Sequence, residues 1–264
     1  MSDSIPPRLG AFVPAGSRYV VLAGTRFYRT PEEADAAATS MPLHTSRDMT
    51  PAWIRVALVH LADARAAHVE VLGALQTGDE ASLGVALERE SAAGMQATVA
   101  AAIAMDALYA SAKLGIGPAP ETTPSGRARR TSRWRQVAEV LRRAFSVPSQ
   151  SDLDKHLRQG ARALFDSRDR AVHPSAAAAR LMQHPDLGQP TDWRFVTYSY
   201  ENSLQLVWVA VGFTHRLILN PAKRESSRMT GLRTDLARML SEVFAQWEDE
   251  HGSLDVNPQQ GSSA

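Results

Sequence analysis

MQATVAAAIAMDALYASA, residues Met95 to Ala112, decides the fold. Nearly every position is small or apolar, with no alternation of period two. A helix that is apolar on all sides suits a place surrounded by other helices. Working outward, the same helical pattern extends back to about Glu80 and forward to Lys113. Gly78-Asp79 closes the preceding helix, which begins at Thr50-Pro51. In that helix Trp53, Val56, Ala57, His60, Leu61, Ala64, Ala67, His68, Val71, Leu72 and Leu75 recur at helical spacing.

Beyond Lys113 comes GIGPAPETTPSGRARRT (Gly115–Thr131), whose prolines and glycines forbid regular structure. Helices resume over Ser132–Phe145 and about Ser151–Val172. A short alanine-rich segment follows Pro174, and His184–Asp192 reads as a loop. A very apolar helix covers Tyr198–Leu219, stopped by Asn220-Pro221. A last amphipathic helix runs from Ser227 to about Glu250, with Leu232, Leu236, Met239, Leu240, Val243 and Trp247 on one face. The expected fold is all-α: a bundle of five to six long helices over residues 50–251. Residues 1–49 form a small appendage, with a short β-hairpin of Tyr19–Ala23 and Arg26–Tyr28 around Gly24. Pro31-Glu32-Glu33 reads as a helix start there. Residues 252–264 have the composition of a disordered tail.

Composition narrows the function classes. The 264 residues carry 29 basic and 28 acidic side chains, a formal net charge of +1, which argues against a uniformly cationic coat. No cysteine occurs, so disulfide scaffolds, zinc–thiolate sites, iron–sulfur clusters and thiol catalysis are excluded. The apolar run Leu204–Phe213 is too short to span a bilayer and no signal-like segment opens the chain, so a cytoplasmic protein is expected. Walker, Rossmann, nucleophile-elbow and HExxH motifs are absent.

The segment with chemical content is Leu164-Phe165-Asp166-Ser167-Arg168-Asp169-Arg170-Ala171-Val172-His173-Pro174. Pro174 disfavours helical backbone at His173, so the helix should end there and release the imidazole. A helix C-terminus favours a cation. Arg168 falls within about 40° of the apolar stripe of Leu153, Leu157, Ala161, Leu164 and Val172, whereas Arg158, Arg162 and Arg170 lie well off it. An arginine on an apolar stripe needs a partner or an interface. Asp106, inside the apolar run of the central helix, is the expected orienting partner, with Glu201 the other candidate. A second arginine–histidine pair, Arg55 and His60, has the same spacing. It sits inside an unbroken helix, where five residues place two side chains roughly 140° apart.

Arg168, Asp169 and His173 fit the signature of the HEPN superfamily of helical proteins, many of them RNases: arginine, often a polar residue, then histidine a few positions on. The apolar stretch of residues 100–113 also resembles the second helix of such bundles. The resemblance covers about Ala52 to Leu219. It implies a metal-independent endoribonuclease with no cofactor. The RNA 2′-hydroxyl attacks the adjacent phosphate, with His173 as general acid or base, Arg168 holding the phosphate and Asp169 orienting the pair. It further implies a homodimer whose two motifs line one cleft, RNA as substrate, and a toxin or phage-defence role with an antitoxin partner. The alternative is a non-catalytic helical module that binds nucleotide, nucleic acid or protein. A separate basic segment, Arg127, Arg129, Arg130, Arg133 and Arg135 with Trp134 among them, is the expected nucleic-acid contact, by phosphate pairing and aromatic stacking. His60 and His68 share a face without a third metal-ligand partner, so no metal site is expected.

Overall fold

The computed structural model describes residues 17–20, 44–116, 132–173, 181–219 and 226–254. The chain divides into two units, Met1–Asp48 and Met49–Ala264. In the first, strand β1 (Ser17–Val20) pairs antiparallel with β2 (His44–Arg47), Ser17 opposite Arg47 and Val20 opposite His44. The partner of the first strand is thus more distant than the expected tight hairpin. Arg26–Tyr28 and the helix start at Pro31 lie outside the described residues, as do residues 255–264 of the tail.

The second unit is the expected all-α bundle. Its described helices are α1 (Thr50–Thr77), α2 (Glu80–Ile116), α3 (Arg133–Ala144), α4 (Asp152–Val172), α5 (Trp193–Thr197), α6 (Tyr200–Leu219) and α7 (Ser227–His251). A two-residue strand pair, β3 (Met182–Gln183) with β4 (Pro190–Thr191), interrupts the stretch read as a plain loop. The short helix α5 was not legible either. The turn at Tyr198-Ser199 separates it from α6.

Gly78 ends α1 in the left-handed region at φ 70°, its N–H on the Ala74 and Leu75 carbonyls. Asp79 then accepts from the Ser82 amide at 3.1 Å and its hydroxyl at 2.6 Å, which starts α2. The resulting hairpin packs Ile54, Ala57, Leu61, Ala64, Ala67 and Val71 of α1 inward, all buried. Helix α2 touches α1, α3, α4, α6 and α7, so it is the axis of the bundle. Its alanines at 97, 100, 101 and 104 are buried with Met105 and Leu108. Small side chains let neighbouring helices approach closely. Each fully buried leucine adds roughly 1.5–3 kcal/mol. By length and composition alone α2 could cross a membrane, which the reading of Leu204–Phe213 as too short to span a bilayer did not take into account. Here those apolar side chains form the core of the bundle.

At Gly94 an added Cβ would lie 2.1 Å from the Tyr198 carbonyl oxygen and 2.5 Å from the Ser203 hydroxyl. Helix α2 therefore sets the position of the corner that opens α6. The Tyr198 hydroxyl, in turn, donates to the Ser167 carbonyl at 2.9 Å. This chain of contacts runs from the axial helix to the residue before Arg168.

Candidate active site

Helix α4 carries the motif and is fixed at its start by a polar network. Ser151 caps it, accepting from the Asp154 amide at 3.2 Å. The buried Asp154 accepts from the Gln150 amide and from Arg158 at 2.9 Å. Arg158 reaches on to Glu139 of α3 at 2.8 Å, and Arg142 pairs with the same carboxylate at 2.7 Å. Arg142 and Arg158 hold the Glu139 carboxyl down at about 2. These bonds tie α3 to α4, and Leu157, Ala161, Leu164 and Phe165 bury the inner face of α4.

The helix ends as its sequence dictates. His173 occupies the C-cap with φ −123° and ψ 66°, its N–H still on the Asp169 carbonyl at 2.9 Å. The imidazole is exposed, and so is Val172, which does not join the apolar stripe. Arg168 does lie on that stripe. Its side chain is 25 % exposed, and its guanidinium sits 5.2 Å from the centre of the Phe165 ring. Nη2 forms an ion pair with Asp169 at 2.9 Å, while Nε is buried with no acceptor among the described residues. Within one chain no hydrogen bond joins Arg168 to His173 among the described residues. The arginine turns toward Phe165, and the histidine stands in solvent.

The expected partner of Arg168 is corrected. Asp106 pairs with Arg133, whose Nε donates to it at 2.7 Å while the guanidinium covers the Tyr109 ring at 4.2 Å. The physical reason is proximity: Arg133 opens α3, which packs on α2 beside Asp106. Glu201 is exposed in the first turn of α6 and forms no ion pair with Arg168. The basic segment divides as well. Arg133 is committed to α2, and Trp134 packs on the core. Arg135 is exposed over the Trp134 ring at 5.1 Å. Arg127, Arg129 and Arg130 lie outside the described residues. The decoy pair behaves as its spacing requires: Arg55 donates to the Met239 carbonyl at 2.6 Å, and His60 faces Asp63 at 3.7 Å.

A buried polar cluster escaped the sequence reading. Glu90, 1 % exposed, accepts from the Tyr200 amide at 2.7 Å and lies 3.0 Å from Nδ1 of His68. Burial pushes its carboxyl above the usual range, against the pull of the Tyr200 amide and His68. His68 and Glu90 stand eleven residues on either side of Asp79, which is the pairing a hairpin centred there brings together. That signal was available. His184 closes the turn read at His184-Pro185-Asp186, its Nδ1 accepting from the amides of Asp186 and Leu187 at 3.2 and 3.4 Å. Nδ1 is therefore unprotonated and Nε2 carries the hydrogen, buried without an acceptor among the described residues.

Burial lowers the His184 pKa below 6.5, with Asp186 opposing. A histidine held neutral in the fold contributes stability that is full above pH 6.5 and is lost as pH falls from there through the lowered folded value. His251, also lowered by burial, has the same sign, and Glu90 has the opposite one. His184→Asn keeps an acceptor for the two amides and removes the titration. Melting temperature followed from pH 7.5 to 5.5 is expected to fall less steeply in His184→Asn than in wild type. Parallel slopes would show that His184 is not a source of the acid sensitivity. Among the described residues no three histidine, aspartate or glutamate side chains converge on a metal position. No protein-family model matches the chain, nor does any curated protein or solved structure.

Proposed function

We propose that the chain is a metal-independent endoribonuclease of the HEPN type, acting on RNA through Arg168, Asp169 and His173. The observation that carries this reading is the end of α4. A proline-terminated helix places an exposed imidazole within two turns of an arginine half-sunk on an apolar stripe, with Asp169 pinned to the guanidinium. Arginine supplies the donors that recognise a phosphate and stabilise the charge of its pentacoordinate state. Histidine is suited to move the proton between the 2′-hydroxyl and the leaving 5′-oxygen near neutral pH. Arg168 faces Phe165 and His173 faces solvent, which fits a working cleft completed by a second protomer, the homodimer that the resemblance implies. Cytoplasmic RNA is the substrate, and a toxin or defence role with a neutralising partner protein fits such an activity.

A second reading, a non-catalytic helical module, draws on the same arginine: contact with Phe165 and Asp169 is also what a purely bracing residue makes. Incubation of the purified protein with single-stranded RNA in EDTA separates the two. Cleavage leaving 2′,3′-cyclic phosphate and 5′-hydroxyl ends is expected. Intact RNA would leave the bracing reading, and 3′-hydroxyl ends would remove the mechanism.

A further inference from the structure

A cavity of about 720 Å³ lies over the α4–α6 crossing, where a Cβ on Gly160 would come within 2.8 Å of Phe213. Its arginine, Arg216, is already engaged, with the guanidinium over the Trp208 ring at 5.2 Å. A smaller cavity, about 300 Å³, is walled by α1, α7 and Tyr200, the first residue of α6. Leu58, Ala62, Arg65, Ala66 and Val69 form the α1 wall. At about 100° per residue they share roughly a 100° arc of that helix. The α7 wall carries Gln246 and Glu250. The small side chains of Ala62 and Ala66 leave the space open between the two helices.

Arg65 and Glu250 are exposed side chains of opposite charge in this one cavity. Burial pushes the Tyr200 phenol above its ordinary value, while Arg65 pulls it down and Glu250 pushes it up. Both charges therefore act on the same hydroxyl. Yet no ion pair joins them among the described residues, and Arg65 makes no hydrogen bond there. Glu250 accepts from Nε2 of Gln246 at 2.8 Å. Its histidine neighbour, His251, stands 3.8 Å away, and burial shifts that imidazole toward its neutral form. The Tyr200 hydroxyl has no hydrogen-bond partner among the described residues either. An unpaired cation, an unpaired hydroxyl and a carboxylate beside apolar walls match a ligand with both charges and an apolar body. A carboxylic acid alone would leave Glu250 unmatched, and an amine alone would leave Arg65 so. The volume is at the lower end of the ~300–1,000 Å³ range of small-molecule sites, which suits a single amino acid. We infer that the α1–α7 cavity binds a free apolar α-amino acid, its carboxylate on Arg65 and the Tyr200 hydroxyl, its ammonium on Glu250 and its side chain against Leu58 and Val69. No residue of the cavity belongs to α4. The inference therefore stands apart from the nuclease reading and survives its failure.

Calorimetric titration of the full chain at pH 7.5 tests it, with L-leucine, L-isoleucine, L-valine, L-methionine and L-phenylalanine as probes. At least one is expected to saturate with a Kd of about 1 mM or tighter. Its N-acetyl derivative, which lacks the ammonium, and its amide, which lacks the carboxylate, are each expected to bind about tenfold or more weakly. Arg65→Gln and Glu250→Gln change exposed side chains, so the fold should hold in both. Each variant, checked for an unchanged helical spectrum, is expected to weaken the amino acid about tenfold or more. In Glu250→Gln the N-acetyl derivative should no longer be at a disadvantage, since the ammonium has lost its carboxylate. Failure of all five amino acids to saturate overturns the inference. So do derivatives that bind as tightly as the parent, or wild-type affinity in Arg65→Gln and Glu250→Gln.

Discussion

For the proposed endoribonuclease, His173→Ala is expected to lower the rate of RNA cleavage by about 10²–10⁴-fold, the range for loss of a positioned general acid or base. Arg168→Ala is expected to lower it by about 10²–10³-fold, as when a donor to a transition-state anion is removed. The two variants differ in their effect on the fold. His173 is exposed at a helix end, so its loss should move stability by no more than about 0.5 kcal/mol. Arg168 is half-buried against Phe165 and Asp169, so its alanine variant carries a stability cost as well. Arg168→Lys keeps the charge but not the planar fork, and is expected to recover only part of the rate. The matched control is the decoy pair. Arg55→Ala and His60→Ala have the same sequence spacing and should cleave at the wild-type rate. Cleavage that persists at the wild-type rate in His173→Ala, with His60→Ala equal to it, would show that the end of α4 is not the chemical site.

Gly94→Ala has the largest expected effect on the fold. The added methyl would occupy a point 2.1 Å from a backbone carbonyl, which cannot swing aside as a side chain can. Overpacking of this kind costs typically 1–3 kcal/mol and sometimes more, so about 3 kcal/mol is expected. For a domain of this size that is a fall in melting temperature of roughly 6–12 °C. The same change at Gly73, where no atom lies within 4 Å of the new Cβ, should instead stabilise by about 0.5–1 kcal/mol through helix propensity. Opposite signs for one substitution at two helical glycines isolate packing from propensity. The effect should also reach the site, because moving Tyr198 disturbs its hydroxyl bond to Ser167, the neighbour of Arg168. A Gly94→Ala protein that melts with wild type would mean that α2 and the Tyr198 corner are not in close contact.

What the sequence revealed and what it hid divide along the range of the interactions. The bundle was legible because helical periodicity, Gly78, Pro174 and Asn220-Pro221 act within a few residues. The end of α4 at His173 was legible for the same reason. The pairing of Arg133 with Asp106 was not, since it depends on how α3 docks on α2 across a 27-residue separation. Apolar surroundings identified Asp106 as a residue in need of a cation but could not say which one. Glu90 sits in Glu88-Arg89-Glu90-Ser91, which reads as an exposed charged patch. Its burial depends on the Tyr200 amide, 110 residues away. The cavity lined by Gly160, Ser167, Met182, Val196 and Val209 was hidden because its residues come from α4, β3, α5 and α6, which only the fold brings together. Gly160 itself, a glycine inside a helical pattern, was the one local sign that something passes close by.

A defined RNA strand with a single 2′-deoxy nucleotide at a mapped cut site, incubated with the wild-type protein in EDTA, tests the proposed chemistry most directly. The account predicts that cutting at that bond is lost while neighbouring bonds are still cut. Cutting at the 2′-deoxy position at the rate of the all-RNA strand would contradict it.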